Sequence, residues 1–115
     1  MPTFRFRCSA CVGLSGLIYV IGGSHTEHCV EAYDPVASQW QKKQNAIGHR
    51  DWAVSACVDG KIFVMGGMDK SIEYYSEDID TWTLHSCKMP EAKRLSGCAV
   101  MTMKPGMNSN MEMEK

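Results

Sequence analysis

The sequence predicts an all-β fold in which two four-stranded antiparallel sheets repeat one pattern. Each repeat carries a glycine pair at the end of an apolar run, then a tyrosine, then a tryptophan. The two sets are Gly22, Gly23, Tyr33 and Trp40, followed by Gly66, Gly67, Tyr75 and Trp82. A period of about 40–50 residues built from short strands is typical of β-propeller blades. The predicted architecture is therefore two blades plus one closing strand, an incomplete β-propeller.

Blade one is predicted to contain strands at 8–14, 17–21, 29–34 and 39–42. The run at 17–21 is continuously apolar rather than alternating, which suits a strand that is covered on both faces. Ser15-Gly16 and Asp34-Pro35 are typical turn pairs. The glycine pair that follows the apolar run tolerates positive φ and lets another backbone pass closely.

Blade two repeats this order, with strands predicted at 53–58, 61–65, 72–76 and 81–85. Asp59-Gly60 supplies its first hairpin turn. Tyrosine and tryptophan offer large apolar faces with one polar tip, which suits packing between stacked sheets. Farther upstream, Arg7 and Arg50 fall one residue out of register, so the repeat pattern leaves their equivalence open.

A third unit begins after blade two and does not continue. Residues 94–103 match one more first strand, and no further glycine pair, tyrosine or tryptophan follows. Residues 104–115 are polar and methionine-rich, and they are predicted to form a disordered tail.

The glycine pair, tyrosine and tryptophan in register resemble the Kelch repeat, and the resemblance covers roughly 8–103. In the BTB-Kelch family, the C-terminal strand returns to complete the first blade, and 94–103 looks like that closing strand. The predicted division is a non-Kelch segment at 1–7, blades at 8–48 and 49–93, the closing strand at 94–103 and the tail at 104–115. The resemblance places the chain at the C-terminal end of a BTB-Kelch protein.

The length is too short for a closed ring, because a propeller needs about four to eight blades. Two blades bury one inter-blade face and leave two outer faces open, and such open faces are large apolar patches. We expect a fragment, a short isoform or an incomplete gene product. Closure of a ring by self-association is the alternative, since repeat units permit it.

Composition narrows the classes of partner. The net charge of −1 argues against nucleic acid or an anionic membrane as the main partner. No apolar run approaches the ~18 residues of a membrane span. Six cysteines without a signal peptide indicate reduced thiols and a cytoplasmic protein, with the nucleus or the cytoskeleton as alternatives.

Neither a cofactor nor a metal site is predicted. Cys8-x-x-Cys11 lacks a second cysteine pair, so packing between strands is favoured over zinc. His25, His28 and Cys29 cluster in one loop, where solvation is favoured over metal ligation. Cys87 beside Lys88 is favoured as an inert thiol over a redox-sensitive one. No nucleophile elbow, phosphate loop or paired carboxylates appear, and the chain is not expected to be an enzyme.

Partner binding is predicted on the loops at one end of the blades, since propeller loops are held by a rigid scaffold. The candidate residues are His25, His28, His49, Arg50, Asp51, Trp52, Asp69, Lys70, Lys93 and Arg94. Arg50 and Trp52 stand out, because arginine and tryptophan are typical interface anchors. For Arg7 and Arg94, pairing with backbone carbonyls between blades is an equal alternative.

The resemblance implies a protein-interaction module. BTB-Kelch proteins commonly act as substrate adaptors of cullin-based ubiquitin ligases, in which the propeller captures the substrate. Others bind actin or organise the cytoskeleton, which is the alternative here together with a non-functional fragment. Cullin docking belongs to the BTB and BACK domains, which this sequence does not contain, so only the capture of a protein partner carries over.

Overall fold

The structure, a computed structural model, describes Arg5 and residues 7–89. The strands of that part are β1 (Ser9–Val12), β2 (Ile18–Ile21), β3 (Val30–Asp34), β4 (Gln39–Lys43), β5 (Ala53–Val58), β6 (Lys61–Gly66), β7 (Ser71–Ser76) and β8 (Thr81–Lys88). They form two four-stranded antiparallel sheets, β1-β2-β3-β4 and β5-β6-β7-β8. The all-β prediction is confirmed, and the predicted strands correspond one to one with the observed strands. The predicted closing strand at 94–103 and the tail at 104–115 lie outside the described residues.

The core lies between the two sheets, which we call blade one (β1–β4) and blade two (β5–β8). Neighbouring strand residues point to opposite faces. Tyr19 and Ala32, which pair across β2 and β3, therefore share the face toward blade two. Ile62 and Tyr75, which pair across β6 and β7, share the face toward blade one. The buried cluster is Tyr19, Ile21, Val30, Ala32, Ala46, Ala53, Ile62, Val64, Tyr75 and Trp82.

The glycine pairs lie where the connection between the blades crosses the end of a strand. Gly22, Gly23, Gly66 and Gly67 all have positive φ, between 70° and 112°, as predicted. The backbone N–H of Gly23 donates to the carbonyl of Arg50 at 3.0 Å. A Cβ at Gly22 would lie 2.1 Å from that carbonyl oxygen, so no other residue fits without a shift of the backbone.

The first hairpin of blade one is one residue longer than the first hairpin of blade two. Val12 pairs with Ile18, whereas Cys57 pairs with Ile62. Every position upstream of this hairpin is therefore displaced by one residue in the repeat, and Arg5 rather than Arg7 corresponds to Arg50.

Arg7 corresponds instead to Trp52, and both residues have positive φ, 61° and 67°. Arg5 and Arg7 thus lie against blade one, although the sequence-based boundary left both in the segment at 1–7.

Candidate functional site

The loops at one end of the two blades are held together by backbone hydrogen bonds. The loop after β2 meets the connection between the blades, where the N–H of Arg50 donates to the carbonyl of Glu27 at 2.9 Å. The N–H of Ala46 donates to the carbonyl of His28 at 2.8 Å. The predicted convergence of these two loops is thus present, and we call their shared surface the loop end.

Histidines lie at the surface of the loop end. The rings of His28 and His49 meet edge to face with centroids 5.6 Å apart. Nε2 of His49 lies 3.9 Å from a carboxylate oxygen of Glu27. The pKa of Glu27 is lowered, chiefly by its own backbone N–H and to a lesser extent by His49, although burial opposes the shift. His25 is exposed in the same loop, so the predicted histidines share one surface.

Trp52 lies beside this group and contacts Arg7. The guanidinium of Arg7 lies 5.5 Å from the centre of the indole, within the range of a cation–π contact. The N–H of Trp52 donates to the carbonyl of Arg7 at 3.1 Å, and Nε of Arg7 lies 3.5 Å from Asp51. Trp52 and Asp51 are half-buried, so each keeps part of its surface exposed to solvent.

Arg50, by contrast, is not available to a partner, and the expectation for this residue is wrong. Its side chain has no solvent exposure and lies 2.8 Å from the carboxylate of Glu73, which is equally buried. Nη1 of Arg50 also donates to the carbonyls of Gly66 and Ser71, each at 3.0 Å. A buried guanidinium requires this full set of acceptors, and Arg50 finds them all within its own blade.

Glu73 completes this network by joining it to the connection between the blades. Its carboxylate accepts hydrogen bonds from the backbone N–H groups of Ile47 at 2.8 Å and Gly48 at 2.9 Å. The ion pair therefore fixes the path of the loop that carries His49, and both of its side chains are buried beneath that loop.

Blade one contains the same ion pair, formed by Arg5 and Glu31 at 3.0 Å. Arg5 donates to the carbonyls of Gly22 and Cys29, each at 2.8 Å, as Arg50 does to Gly66 and Ser71. This repeated ion pair was not predicted from the sequence. The signal was present, because a glutamate stands two residues before the motif tyrosine in both blades, Glu31 before Tyr33 and Glu73 before Tyr75.

Asp69 and Lys70 lie on the loop after β6, at the edge of the same end. The N–H of Ser71 donates to Asp69 at 2.8 Å, and this hydrogen bond lowers the pKa of Asp69 against the effect of burial. Lys70 is exposed and lines an open groove of about 480 Å³. The predicted binding residues Lys93 and Arg94 lie outside the described residues.

The tyrosine–tryptophan pairs have structural contacts away from the loop end. Tyr33 and Trp40 have ring centroids 5.1 Å apart, and Tyr75 and Trp82 have centroids 5.0 Å apart. Nε1 of Trp82 donates to the carbonyl of Gln44 at 2.9 Å, so the second pair also joins the two blades.

Neither a metal cluster nor a spanning helix occurs in the described part of the chain. Among Arg5 and residues 7–89, no three His, Cys, Asp or Glu side chains lie close enough to hold a metal ion. No helix in this part is long and apolar enough to cross a membrane. Cys8, Cys29, Cys57 and Cys87 are free thiols.

Comparison with known proteins identifies one type of repeat in both blades. The family model described as the Kelch motif matches residues 5–45 and 53–84. Kelch-like protein 24 of Rattus norvegicus is 33% identical over 95 residues, covering 83% of this chain and 14% of that protein. Kelch-like protein 23 of Homo sapiens is 30% identical, covering 70% of this chain and 15% of that protein. An F-box/kelch-repeat protein of Arabidopsis thaliana is 29% identical, covering 66% of this chain and 19% of that protein. The chain thus spans less than a fifth of the length of these relatives.

Proposed function

Since the chain belongs to the Kelch-repeat family, whose repeats form protein-interaction modules, we propose that its two blades capture a protein partner through the loop end. The observation that carries this proposal is the convergence of loops from both blades onto one exposed surface. That surface holds the histidine group, the half-buried Trp52 and the exposed Lys70. Loops of this kind, held by a rigid sheet scaffold, are common sites of recognition.

The chemistry of the loop end suits a polar protein segment. Histidine and lysine side chains donate hydrogen bonds, Glu27 and Asp51 accept them, and Trp52 adds apolar area. Arg50 is buried in its ion pair with Glu73, and Arg7 contacts Trp52 and Asp51. Neither arginine is therefore placed to form a bidentate pair with a carboxylate of the partner. Recognition therefore rests on several exposed polar contacts around one aromatic side chain.

Photo-crosslinking within cells tests which end of the blades contacts a partner. We would place the crosslinker at His28 or Lys70 and, as matched controls, at Val36 or Leu14, which are 95% and 78% exposed on other loops. We expect one protein to be captured reproducibly from His28 and Lys70 and not from the controls. Capture of the same protein at all four positions would contradict the proposal.

Affinity measurement with that protein provides the quantitative test. We expect His28→Ala combined with Lys70→Ala to weaken binding at least tenfold, about 1.4 kcal/mol, and Val36→Ala to leave it unchanged. Both substituted loop residues are exposed, so the fold should tolerate their loss. An unchanged affinity in the double variant would show that the partner binds elsewhere.

A finer part of the proposal concerns the whole protein. We infer that the two blades belong to the substrate-recognition propeller of a cytoplasmic ubiquitin ligase adaptor. The similarity to Kelch-like and F-box/kelch-repeat proteins supports this role. Co-purification of a cullin with a longer protein that contains these blades, and ubiquitination of the captured partner, would be the expected results. Co-sedimentation with actin filaments without cullin binding would favour a cytoskeletal module instead.

A further inference from the structure

An open groove of about 480 Å³ lies where the connection from blade one meets the outer part of blade two. Its walls are Ile47 of that connection, the loop after β6 and the strand β8. Blade one and blade two are neighbours along the chain, and both are described. The shape of the groove is therefore set by these two blades and does not depend on any further blade.

Three large apolar side chains line the groove and remain exposed to solvent. Ile47, Met68 and Leu84 are 48%, 57% and 52% exposed. Among the described residues, the other exposed large apolar side chains lie on hairpins at the opposite end of the blades, at Val12, Leu14, Val36 and Ile79. The loop end thus gathers its exposed large aliphatic side chains in this groove, and such a concentration marks an interaction site.

The buried ion pair of blade two holds the groove in shape. The N–H of Ile47 donates to the carboxylate of Glu73 at 2.8 Å. Nη2 of Arg50 donates at 2.9 Å to the hydroxyl of Ser71, which also lines the groove. The apolar side chains are therefore presented on a backbone that is fixed beneath them, which lowers the entropy cost of binding a ligand there.

Two exposed lysines, Lys70 and Lys88, flank the apolar lining. They lie on adjacent stretches of backbone, because the N–H of Met89 donates to the carbonyl of Lys70 at 2.8 Å. Within the part of the chain that the structure describes, neither ammonium group forms an ion pair. The carboxylate that also lines the groove, Asp69, accepts the N–H of Ser71 at 2.8 Å. The groove therefore combines apolar surface with positive charge that no ion pair neutralises.

Building on the proposed function, we propose that the groove binds an extended acidic segment of the protein partner. One large apolar side chain of that segment inserts between Ile47, Met68 and Leu84. Acidic residues beside it meet Lys70 and Lys88, so the charges of the two surfaces are complementary. The volume lies within the range of about 300–1,000 Å³ that is usual for recessed ligand sites. A recess of this size suits a few residues of an extended chain rather than the flat surface of a bilayer.

Selection from a random peptide library tests the chemistry of the segment. Peptides displayed on phage are selected on the full chain after depletion on the double variant Leu84→Ser with Lys88→Glu, which removes peptides that bind other surfaces. We expect the retained peptides to carry a large apolar residue with aspartate or glutamate beside it. Retained peptides that are neutral or basic, or a selection that retains none, would overturn the proposal.

Matched variants test the contacts with one retained peptide by fluorescence anisotropy. Leu84→Ser should weaken binding about tenfold, whereas Leu14→Ser, the same change at the opposite end, should leave the affinity unchanged. Lys88→Glu should weaken binding about fivefold, whereas Lys61→Glu, an equal change of net charge at another exposed lysine, should not.

A peptide with lysine in place of its acidic residues should regain affinity for the Lys88→Glu variant, which a folding defect could not produce. Circular dichroism verifies that the sheets of each variant remain folded. Equal affinities of the groove variants and their matched controls would contradict the proposed contacts.

The groove and the histidine group of the loop end can fail separately. A protein captured from His28 that binds Leu84→Ser and Lys88→Glu as tightly as the wild type would overturn the groove proposal and leave the proposed function intact. Loss of affinity in these two variants but not in His28→Ala would support the groove and remove the histidine group from the binding surface. Binding to phosphatidylserine vesicles that Leu84→Ser and Lys88→Glu abolish would assign the groove to a membrane surface and overturn the peptide proposal.

Discussion

The two blades carry the same tyrosine–tryptophan pair in the same geometry, but only one of the pairs is buried. Tyr75 is 0% exposed and Trp82 is 6% exposed, whereas Tyr33 and Trp40 are half-buried. The ring separations are nearly equal, 5.0 and 5.1 Å, so the pairing itself does not decide burial. Blade one covers the pair of blade two, and no described element covers the pair of blade one. The stability that the motif contributes therefore depends on the neighbouring blade.

Truncation of the two tryptophans tests directly whether burial decides how much each one stabilises the fold. We expect Trp82→Ala to lower the free energy of unfolding by about 3–5 kcal/mol, because it leaves a cavity between the blades and frees the carbonyl of Gln44. The matched change Trp40→Ala should cost about 1 kcal/mol or less, because its indole is already partly in water. Urea unfolding followed by circular dichroism measures both. Equal losses would show that the Tyr33–Trp40 pair is covered as well.

Two glycines with positive φ differ in how closely another part of the chain approaches them. Gly22→Ala should cost roughly 2–5 kcal/mol, because positive φ and the nearby carbonyl of Arg50 both oppose a Cβ. Gly16→Ala is the control: its φ is also positive, but nothing lies within 4 Å of its Cβ position. We expect about 1–2 kcal/mol for the control. Thermal melts of the two variants should differ clearly, and coinciding melts would mean that the backbone around Arg50 relaxes to accept the added methyl group.

The repeated ion pair offers a third comparison. Glu73→Gln should destabilise the chain by about 1.5–3 kcal/mol, because Arg50 and two backbone N–H groups lose a charged acceptor. Glu31→Gln should cost less, because Arg5 approaches the Glu31 carboxylate with one guanidinium nitrogen, whereas Arg50 approaches Glu73 with both Nε and Nη2. Chemical denaturation of both variants tests the order. A larger loss at Glu31 would reverse our assignment of the stronger network to blade two.

The pH dependence of stability should be the smallest effect. Burial raises the pKa of Glu77, but the hydrogen bonds from Ser15 and Tyr19 outweigh it, so the net pKa is lowered. Hydrogen bonds from Tyr75 and the N–H of Gln44 lower the pKa of Asp80. A carboxyl whose folded pKa is depressed stabilises the fold above its unfolded pKa, and this stability is lost as pH falls through the folded pKa.

We therefore expect stability to decline in acid, below the ordinary pKa values of 4.5 for glutamate and 3.8 for aspartate. Glu77→Gln should flatten this decline in pH-dependent urea midpoints, because it removes the carboxyl group whose pKa is lowered. At the alkaline end, burial raises the pKa of Tyr19 and Tyr75. Their contribution is present below the ordinary tyrosine pKa of 10.0 and is lost as pH rises through the folded pKa values.

The strand order, the hairpins and the positive φ of the glycine pairs could all be predicted from the sequence. These features depend on local chemistry: apolar runs form central strands, and glycine alone suits a backbone at positive φ beside another chain segment. The grouping of the loop histidines also followed from the repeat, because two blades in register place equivalent loops at one end. Which described loop residues contact a partner remains a prediction.

Burial and pairing were decided by the tertiary structure. Arginine is a residue type common at interfaces, but the fold places Glu73 and two backbone carbonyls around Arg50. They pair its charge, as a buried charge requires. The one-residue difference between the first hairpins hid the match of Arg5 with Arg50, since a sequence repeat read at constant spacing does not show a one-residue insertion. The identical tyrosine–tryptophan pairs differ in burial because burial depends on what packs against a face. The sequence of the motif specifies the face and its shape, and only the packing of one blade on another removes that face from water.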